Sequence, residues 1–288
     1  MQAGVPAEKA VLPELPESES TVVVAGVGLI GGSISAALRA AAPDMAVIGI
    51  GRDADRLQAA QNRGLITAWA VEISARTIPP GSLGVVCQPV DRIAGTVRAL
   101  LRAGCGVVTD AGSTKGEICR LLSDERRFVG AHPIAGSEQT GFEHADGSLF
   151  CGRVCVICAG AADAAAVVRV ERFWESLGLL LRNMSAVEHD EVLALTSHLP
   201  HVLAAVAAGV VSDEQLAFTG SGFRDTTRIA AGSAELWTSI LLGNAESCVS
   251  AIRRAEELLR KFREALEQRN AAMLSTLWSQ SAERRRKL

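Results

Sequence analysis

The sequence predicts an α/β fold in which a doubly wound parallel sheet is followed by an all-α domain. From Thr21 the chain alternates short β-branched runs with helical stretches, a pattern typical of βαβ units. After about Ser185 the strand pattern stops, and apolar residues recur at helical spacing, as from Ile252 to Gln268. Because 288 residues exceed the usual size of one domain, we expect two.

Five strands and five helices are expected in the sheet domain. The predicted strands are Thr21–Ala25, Ala46–Ile50, Gly84–Cys87, Gly106–Asp110 and Arg153–Cys158. The predicted helices are Gly31–Ala40, Asp53–Arg63, Asp91–Arg102, Thr114–Leu122 and Asp163–Leu177. We expect a flexible tail over residues 1–19, the sheet domain over 20–185 and the helical domain over 186–288.

Charge and cysteine content narrow the class of protein. A net charge of -3 provides no broad basic field, so we expect no nucleic acid partner. The first twenty residues lack the order of a secretory signal, and seven cysteines, an odd number, suit reduced thiols, so we expect a cytoplasmic protein. Cys155 and Cys158 match a CxxC spacing, but positions three apart in a strand face opposite sides, so no metal is expected.

Residues 192–212 contain no Asp, Glu, Lys or Arg and are long enough to span a bilayer. Pro200 lies in their middle with His198 and His201, and no second apolar span accompanies them. We therefore expect a buried helix of the helical domain and no membrane. Such an uncharged helix would leave apolar surface on a single chain, so a homodimer through the helical domain is expected.

A glycine motif joins the first predicted strand to the first predicted helix. It reads Gly26-Val27-Gly28-Leu29-Ile30-Gly31. The first glycine permits a tight turn, the second lets the backbone approach a pyrophosphate, and the third lets helix and strand pack closely. The motif therefore predicts a Rossmann-type dinucleotide site formed by Gly26, Gly28, Leu29, Ile30 and Gly31.

The choice of dinucleotide depends on the end of the second strand. An acidic residue normally accepts the ribose 2′-OH of NAD there, but Gly51 holds that place and Arg52 follows. Arg52 favours the 2′-phosphate of NADP, whereas Asp53 leaves NAD open. Residues that follow later strands, Gln88, Pro89 and Asp110, are also expected at the cofactor, because ligands bind beyond the carboxyl ends of parallel strands.

Three later segments concentrate polar residues: Asp110–Lys115, His132–Gly141 and Gly222–Arg228. Each has a simpler interpretation on its own. His132 could be a capped imidazole in a His-Pro turn, Arg224 and Asp225 could pair with each other, and Trp237 alone would be a core residue. Histidines 189, 198 and 201 could be metal ligands, but no carboxylate joins them at a typical spacing, and buried, hydrogen-bonded histidines are commoner.

Together with the glycine motif, these segments resemble the prephenate/arogenate (cyclohexadienyl) dehydrogenase family of tyrosine biosynthesis. The resemblance extends over nearly the whole chain from Thr21. The matching segments are Gly26–Ser33, Asp110–Lys115, His132–Gly141 with Leu149-Phe150, Ser197–His201, Gly222–Arg228 and Leu236-Trp237. They imply an NAD(P)-dependent oxidative decarboxylation of prephenate to 4-hydroxyphenylpyruvate, or of arogenate to tyrosine.

The resemblance also implies residue roles. His132 would act on the substrate hydroxyl, and Ser113 would hold that hydroxyl and the nicotinamide in register. The implied substrate-binding residues are Arg228 for a carboxylate, His201 for the side chain, Glu138 as a gating or tuning group, and Trp237 as a wall.

Two other functions share parts of this pattern. A β-hydroxyacid or imine dehydrogenase also joins a cofactor domain to a helical dimerisation domain, but its catalytic lysine is absent from the uncharged helix over 192–212. A cofactor-sensing module would keep the glycine motif without Ser113, His132 and Arg228.

Overall fold

A computed structural model describes residues 21–136 and 139–287. Within these ranges, eight strands form one sheet: β1 Thr21–Ala25, β2 Ala46–Ile50, β3 Ala68–Ala70, β4 Leu83–Val86, β5 Val107–Asp110, β6 Phe128–Pro133, β7 Val154–Cys158 and β8 Leu180–Asn183. The helices beside the sheet are α1 Leu29–Ala41, α2 Ala54–Asn62, α3 Val90–Ala103, α4 Gly116–Leu121 and α5 Ala164–Ser176. The helices that follow are α6 Ala186–Leu193, α7 Leu199–Gly209, α8 Asp213–Leu216, α9 Ser221–Thr227, α10 Ala234–Gly243, α11 Ala245–Glu267 and α12 Ala271–Arg285.

The sheet has the strand order β3-β2-β1-β4-β5-β6-β7-β8. All neighbouring strands are parallel except β6 and β7, where Gly130 pairs with Cys158 and Pro133 with Cys155 in antiparallel register. In the connection from β6 to β7, the described residues, 134–136 and 139–153, form the short 3-10 turn Phe142–His144 and no crossover helix. A parallel pair requires such a crossover. The predicted α/β class is confirmed, and this one antiparallel pair departs from the all-parallel expectation.

The five predicted strands are confirmed to within one residue, and the five predicted helices to within two. Strands β3, β6 and β8 were missed by the sequence patterns. Strand β6 reads Phe-Val-Gly-Ala-His-Pro, which has a single β-branched residue and ends on proline, although all six residues are buried. Burial between neighbouring strands stabilises it where its own β-propensity is weak.

Apolar cores cover both faces of the sheet. On one face Ile34 and Leu38 of α1 and Phe173 and Trp174 of α5 are fully buried. On the other, α3 buries a stripe that includes Val97. Helices on both faces make the sheet doubly wound and leave its carboxyl edge open for ligands.

The helical half begins with one long helix made of α6, a π turn over Ala194–His198, and α7. The turn directly precedes Pro200, whose missing N–H interrupts the helical hydrogen bonds. By length and composition alone, this helix over Ala186–Gly209 could cross a membrane. Only 22% of its apolar window is buried, and Val206 and Val210 are 55% and 74% exposed. The expectation of a buried helix is therefore wrong for a single chain.

Candidate active site

The turn after β1 forms a backbone cradle. Gly26 has a φ of +99°, and a Cβ built there would lie 2.4 Å from the carbonyl oxygen of Cys87. A Cβ at Gly31 would lie 2.1 Å from the carbonyl oxygen of Gly26, so both positions require glycine. Nothing lies within 4 Å of a Cβ built at Gly28, and no side chain caps the N-terminus of α1. The open backbone and uncapped helix end suit the pyrophosphate of a dinucleotide.

A cavity of about 1110 Å³ lies over this turn. The expected cofactor residues that line it are Gly26, Gly28, Arg52, Gln88 and Pro89. The other residues of the motif, Leu29, Ile30 and Gly31, form the first turn of α1. The structure therefore groups eight of the nine expected cofactor residues at this end of the sheet.

Asp110, the ninth of these residues, does not line the cavity. Its side chain is fully buried and forms an ion pair with Lys115, which is also fully buried. Its carboxylate also accepts hydrogen bonds from the backbone N–H groups of Gly112 and Ala131, at 2.8 and 3.1 Å. Asp110 thus organises the loop that carries Ser113, and its own carboxylate is committed within the protein.

The first cavity is lined by three arginines. Arg52, Arg56 and Arg92 all line it. Asp53 lines it too, but as the N-cap of α2 it accepts a hydrogen bond from the backbone N–H of Arg56 at 3.0 Å. The Arg56 guanidinium also lies 3.3 Å from the carboxylate of Glu143. Asp91 lines the cavity as well, with Oδ2 4.0 Å from Nε of Arg92. Three guanidinium groups therefore line the cavity together with two carboxylates.

A second cavity, of about 500 Å³, lies between the sheet and the helical half. The expected catalytic and substrate-binding residues that line it are Ser113, His132, His201, Arg228 and Trp237. Glu138, the sixth expected residue, lies outside the described residues. The three polar segments of the sequence thus meet in one cavity, together with His201 and Trp237.

His132 lies at the end of β6 with its ring against His189. Its Nδ1 lies 2.8 Å from Nε2 of His189, and Nδ1 of His189 lies 2.7 Å from Oδ1 of Asp190. Burial above all, then the neighbouring His189, Lys115 and His198, holds the pKa of His132 well below its usual value of 6.5. The imidazole is therefore neutral at pH 7, as a general base must be.

The helical wall of the second cavity carries two more histidines. The rings of His201 and Trp237 are stacked, with centroids 3.6 Å apart, and Nδ1–H of His201 donates to the carbonyl oxygen of Ser197 at 2.9 Å. His198 is 1% exposed, and burial lowers its pKa to about 4. Its Nδ1 lies 3.3 Å from Nδ2 of Asn244. Both histidines line the second cavity.

Comparison with known families assigns both halves. Residues 34–181 match the family described as "Prephenate dehydrogenase, nucleotide-binding domain". Residues 185–280 match "Prephenate dehydrogenase, dimerization domain". This chain belongs to the prephenate dehydrogenase family. It is therefore an oxidoreductase of that family with a nucleotide-binding domain, as the sequence motifs predicted.

Individual members of the family agree with this assignment. The chain is 32% identical to the cyclohexadienyl dehydrogenase of Zymomonas mobilis, covering 85% of this chain and 88% of that one. It is 31% identical to the prephenate dehydrogenase of Bacillus subtilis, covering 90% and 73%. Prephenate dehydrogenase from A. aeolicus, solved with hydroxyphenyl propionate and NAD+, has a TM-score of 0.87 at 28% identity, covering 94% and 98%. Synechocystis arogenate dehydrogenase has a TM-score of 0.78 at 25% identity, covering 93% and 99%.

Several residues of this family site were missed by the sequence patterns. Arg153 and His198 line the second cavity, and Arg56 and Arg92 line the first. Arg153 precedes β7 and therefore looked like part of a strand. Asp190 follows His189 on α6. The helical spacing of the sequence did not predict that Asp190 contacts the loop after β5.

Proposed function

We propose that this enzyme oxidises prephenate to 4-hydroxyphenylpyruvate and carbon dioxide while reducing a nicotinamide dinucleotide. The observation that carries this proposal is the grouping of a neutral His132, the hydroxyl of Ser113 and two arginines in one cavity. Prephenate has one ring hydroxyl to deprotonate and two carboxylates to neutralise. Arg228 and Arg153 supply one guanidinium for each carboxylate, with the planar geometry that carboxylates prefer.

In this proposal the protein's residues orient the substrate and manage one proton. His132 takes the proton of the ring hydroxyl, and Ser113 holds the same oxygen in position. The bound dinucleotide supplies the hydride acceptor. The bond from the ring to its carboxylate then breaks as carbon dioxide leaves, its electron pair makes the ring aromatic, and the phenol oxygen recovers a proton from His132. Aromatisation provides the driving force.

The lining of the second cavity favours prephenate over arogenate. The two substrates differ in a keto or an amino group on the side chain, and an ammonium group requires an acidic or other acceptor partner. Among the described residues that line the cavity, His198 suits a keto acid. Its Nδ1 accepts from Nδ2 of Asn244, so its Nε2–H can donate to a keto oxygen.

We also propose NADP as the preferred dinucleotide. Gly51 removes the carboxylate that would accept the ribose 2′-OH of NAD, and Arg52, Arg56 and Arg92 can bind a 2′-phosphate. Asp53 already accepts the backbone N–H of Arg56. The A. aeolicus relative was solved with NAD+, so the proposal predicts that this chain differs from that relative in its cofactor.

The assembly proposed is a homodimer through the helical domain, whose boundary we place at residues 185 and 186. The region matches a dimerization domain. Its long first helix leaves Val192, Leu203 and Val206 exposed, and Val210 directly after it is exposed as well. A second copy of this chain would cover such an apolar face.

We place the enzyme in the cytoplasm. All seven cysteines are free. Burial raises the pKa of Cys119 to about 11 and that of Cys155 still further, so neither thiol is reactive. Unpaired, unreactive thiols suit a reducing compartment.

Replacement of His132 by Ala tests the proposed chemistry. The loss of the base should lower kcat with prephenate by roughly 10²- to 10⁴-fold and leave the fold unchanged. His144→Ala is the matched control, because His144 is exposed and lines neither cavity. A near-normal kcat in His132→Ala, or an equal loss in both variants, would remove His132 from its role.

A further inference from the structure

A line of three buried side chains runs from the second cavity into the protein. It consists of His132, His189 and Asp190, which are 9%, 0% and 6% exposed. The two hydrogen bonds that join them measure 2.8 and 2.7 Å. Of the three, His132 alone lines the cavity, so His189 and Asp190 do not contact a substrate there.

The inner end of this line is held as a carboxylate. Oδ1 of Asp190 accepts the backbone N–H of Lys115, and Oδ2 accepts that of Gly116, each at 2.8 Å. Burial alone would raise the pKa of Asp190, but hydrogen bonds from His189 and these two amides outweigh it and lower the pKa. The side chain of Asn244 donates to the Asp190 carbonyl at 2.7 Å, which fixes the backbone as well.

The hydrogen-bonding capacity of each group then determines where the protons lie. An ionised carboxylate only accepts, so Nδ1 of His189 must carry a proton. A neutral imidazole has one N–H, so Nε2 of His189 is an acceptor and Nδ1 of His132 must donate to it. The remaining nitrogen of His132, Nε2, is left with a free lone pair. Burial lowers the pKa values of both histidines, which keeps both neutral.

We propose that His189 and Asp190 are positioning residues that fix the proton of His132 on Nδ1 and leave Nε2 as the base for the substrate hydroxyl. This inference rests on the proposed function, because it assigns the atom that performs the proposed proton transfer. Asp190 also favours the positive charge that His132 gains when it takes the proton. Without the line, a neutral His132 would populate both tautomers, and one of them cannot act as this base.

Substitution of Asp190 by Asn opposes the arrangement in either orientation of the amide. If the NH₂ group faces Gly116, two N–H donors oppose each other. If it faces His189, that ring must accept on Nδ1 and donate from Nε2, which moves the His132 proton to the wrong nitrogen. His189→Leu removes the acceptor outright. Glu188→Gln, on the same helix, is the matched control, because it also replaces a carboxylate by an amide. It affects only the capping box of α6, in which Gln is accepted in place of Glu.

The decisive measurement is a nitrogen NMR spectrum of the full-length protein with ¹⁵N-labelled histidine. The chain has five histidines, and the signals of His132 are those lost in His132→Ala. We expect His132 in the wild type and in Glu188→Gln to be protonated on Nδ1 only, and Asp190→Asn and His189→Leu to lose this single tautomer. A wild-type His132 protonated on Nε2, or one unaffected by either substitution, would overturn the inference.

Kinetics with prephenate provides the second measurement. Because neither His189 nor Asp190 lines the cavity, both variants should lower kcat by roughly 10²-fold or more with KM within about threefold. A kcat within about threefold of wild type in two folded variants would refute the inference. If the wild type itself does not oxidise prephenate, the proposed function fails, and the NMR spectrum alone decides the tautomer.

Discussion

The buried pair of Lys115 and Asp110 allows a quantitative test of how the loop after β5 is held. Both side chains are fully inaccessible to solvent, so Lys115→Met would leave the Asp110 carboxylate buried without a counterion. The hydrogen bonds from Gly112 and Ala131 would remain. They satisfy the oxygens but do not neutralise the charge, and loss of one partner of a buried ion pair costs about 3–5 kcal/mol.

Removal of both charges should cost much less. Asp110→Asn in the Lys115→Met background eliminates the uncompensated charge, although the Asn NH₂ group must then face a backbone N–H. We therefore expect the double variant to be at least about 2 kcal/mol more stable than the sum of the two single losses predicts.

Urea unfolding, followed by circular dichroism at one protomer concentration, measures these free energies of unfolding. A loss below about 1 kcal/mol in Lys115→Met, or strictly additive losses, would show that the pair does not hold the loop. The same loop carries Ser113 and the two amides that bind Asp190. Lys115→Met should therefore also lower kcat, which the prephenate assay measures.

Three further results are expected. Gly51→Asp should lower the ratio of kcat/KM with NADP to kcat/KM with NAD by tenfold or more, because the new carboxylate accepts the 2′-OH of NAD and repels the 2′-phosphate of NADP. An unchanged ratio would contradict the role of Gly51. The melting temperature should fall as the pH is lowered from 7.5 to 5.5, because the pKa values of His132, His189 and His198 lie below 6.5 in the fold. The unfolded chain then binds protons that the folded chain does not, which lowers the free energy of unfolding by roughly 1 kcal/mol per histidine. A constant melting temperature would contradict these pKa values. Val206→Glu should convert a dimer into monomers in analytical ultracentrifugation, and an unaffected dimer would place the interface elsewhere.

Much of the site was predictable because it follows strands directly. The glycine motif and Ser113 come after strands of the sheet, and parallel strands bring their carboxyl ends to one edge. His132 lies at the end of β6, a strand that was missed, so its role depended on the family resemblance. The prediction of site residues in the helical half depended on family resemblance, because helical spacing does not reveal which turn of α6 or α7 approaches the sheet. Asp190 was missed for that reason, although it lies two hydrogen bonds from His132.

Burial was the least predictable property. The uncharged helix over 192–212 was expected to be buried, yet only 22% of its apolar window is buried on the single chain. Apolar composition indicates that a surface will be covered, but does not distinguish the protein's own core from a second copy. Asp110 was expected at the cofactor from its position after β5, and its burial against Lys115 depended on tertiary packing that no local pattern encodes.

The most direct test of the central claim is a turnover assay of the purified protein with prephenate or arogenate, each with NADP or NAD. Reduced nicotinamide is followed by absorbance, and released carbon dioxide is measured in the same sample. The account predicts the highest kcat/KM with prephenate and NADP, with equimolar carbon dioxide and reduced nicotinamide. Absence of turnover with prephenate, or reduction without carbon dioxide, would contradict it.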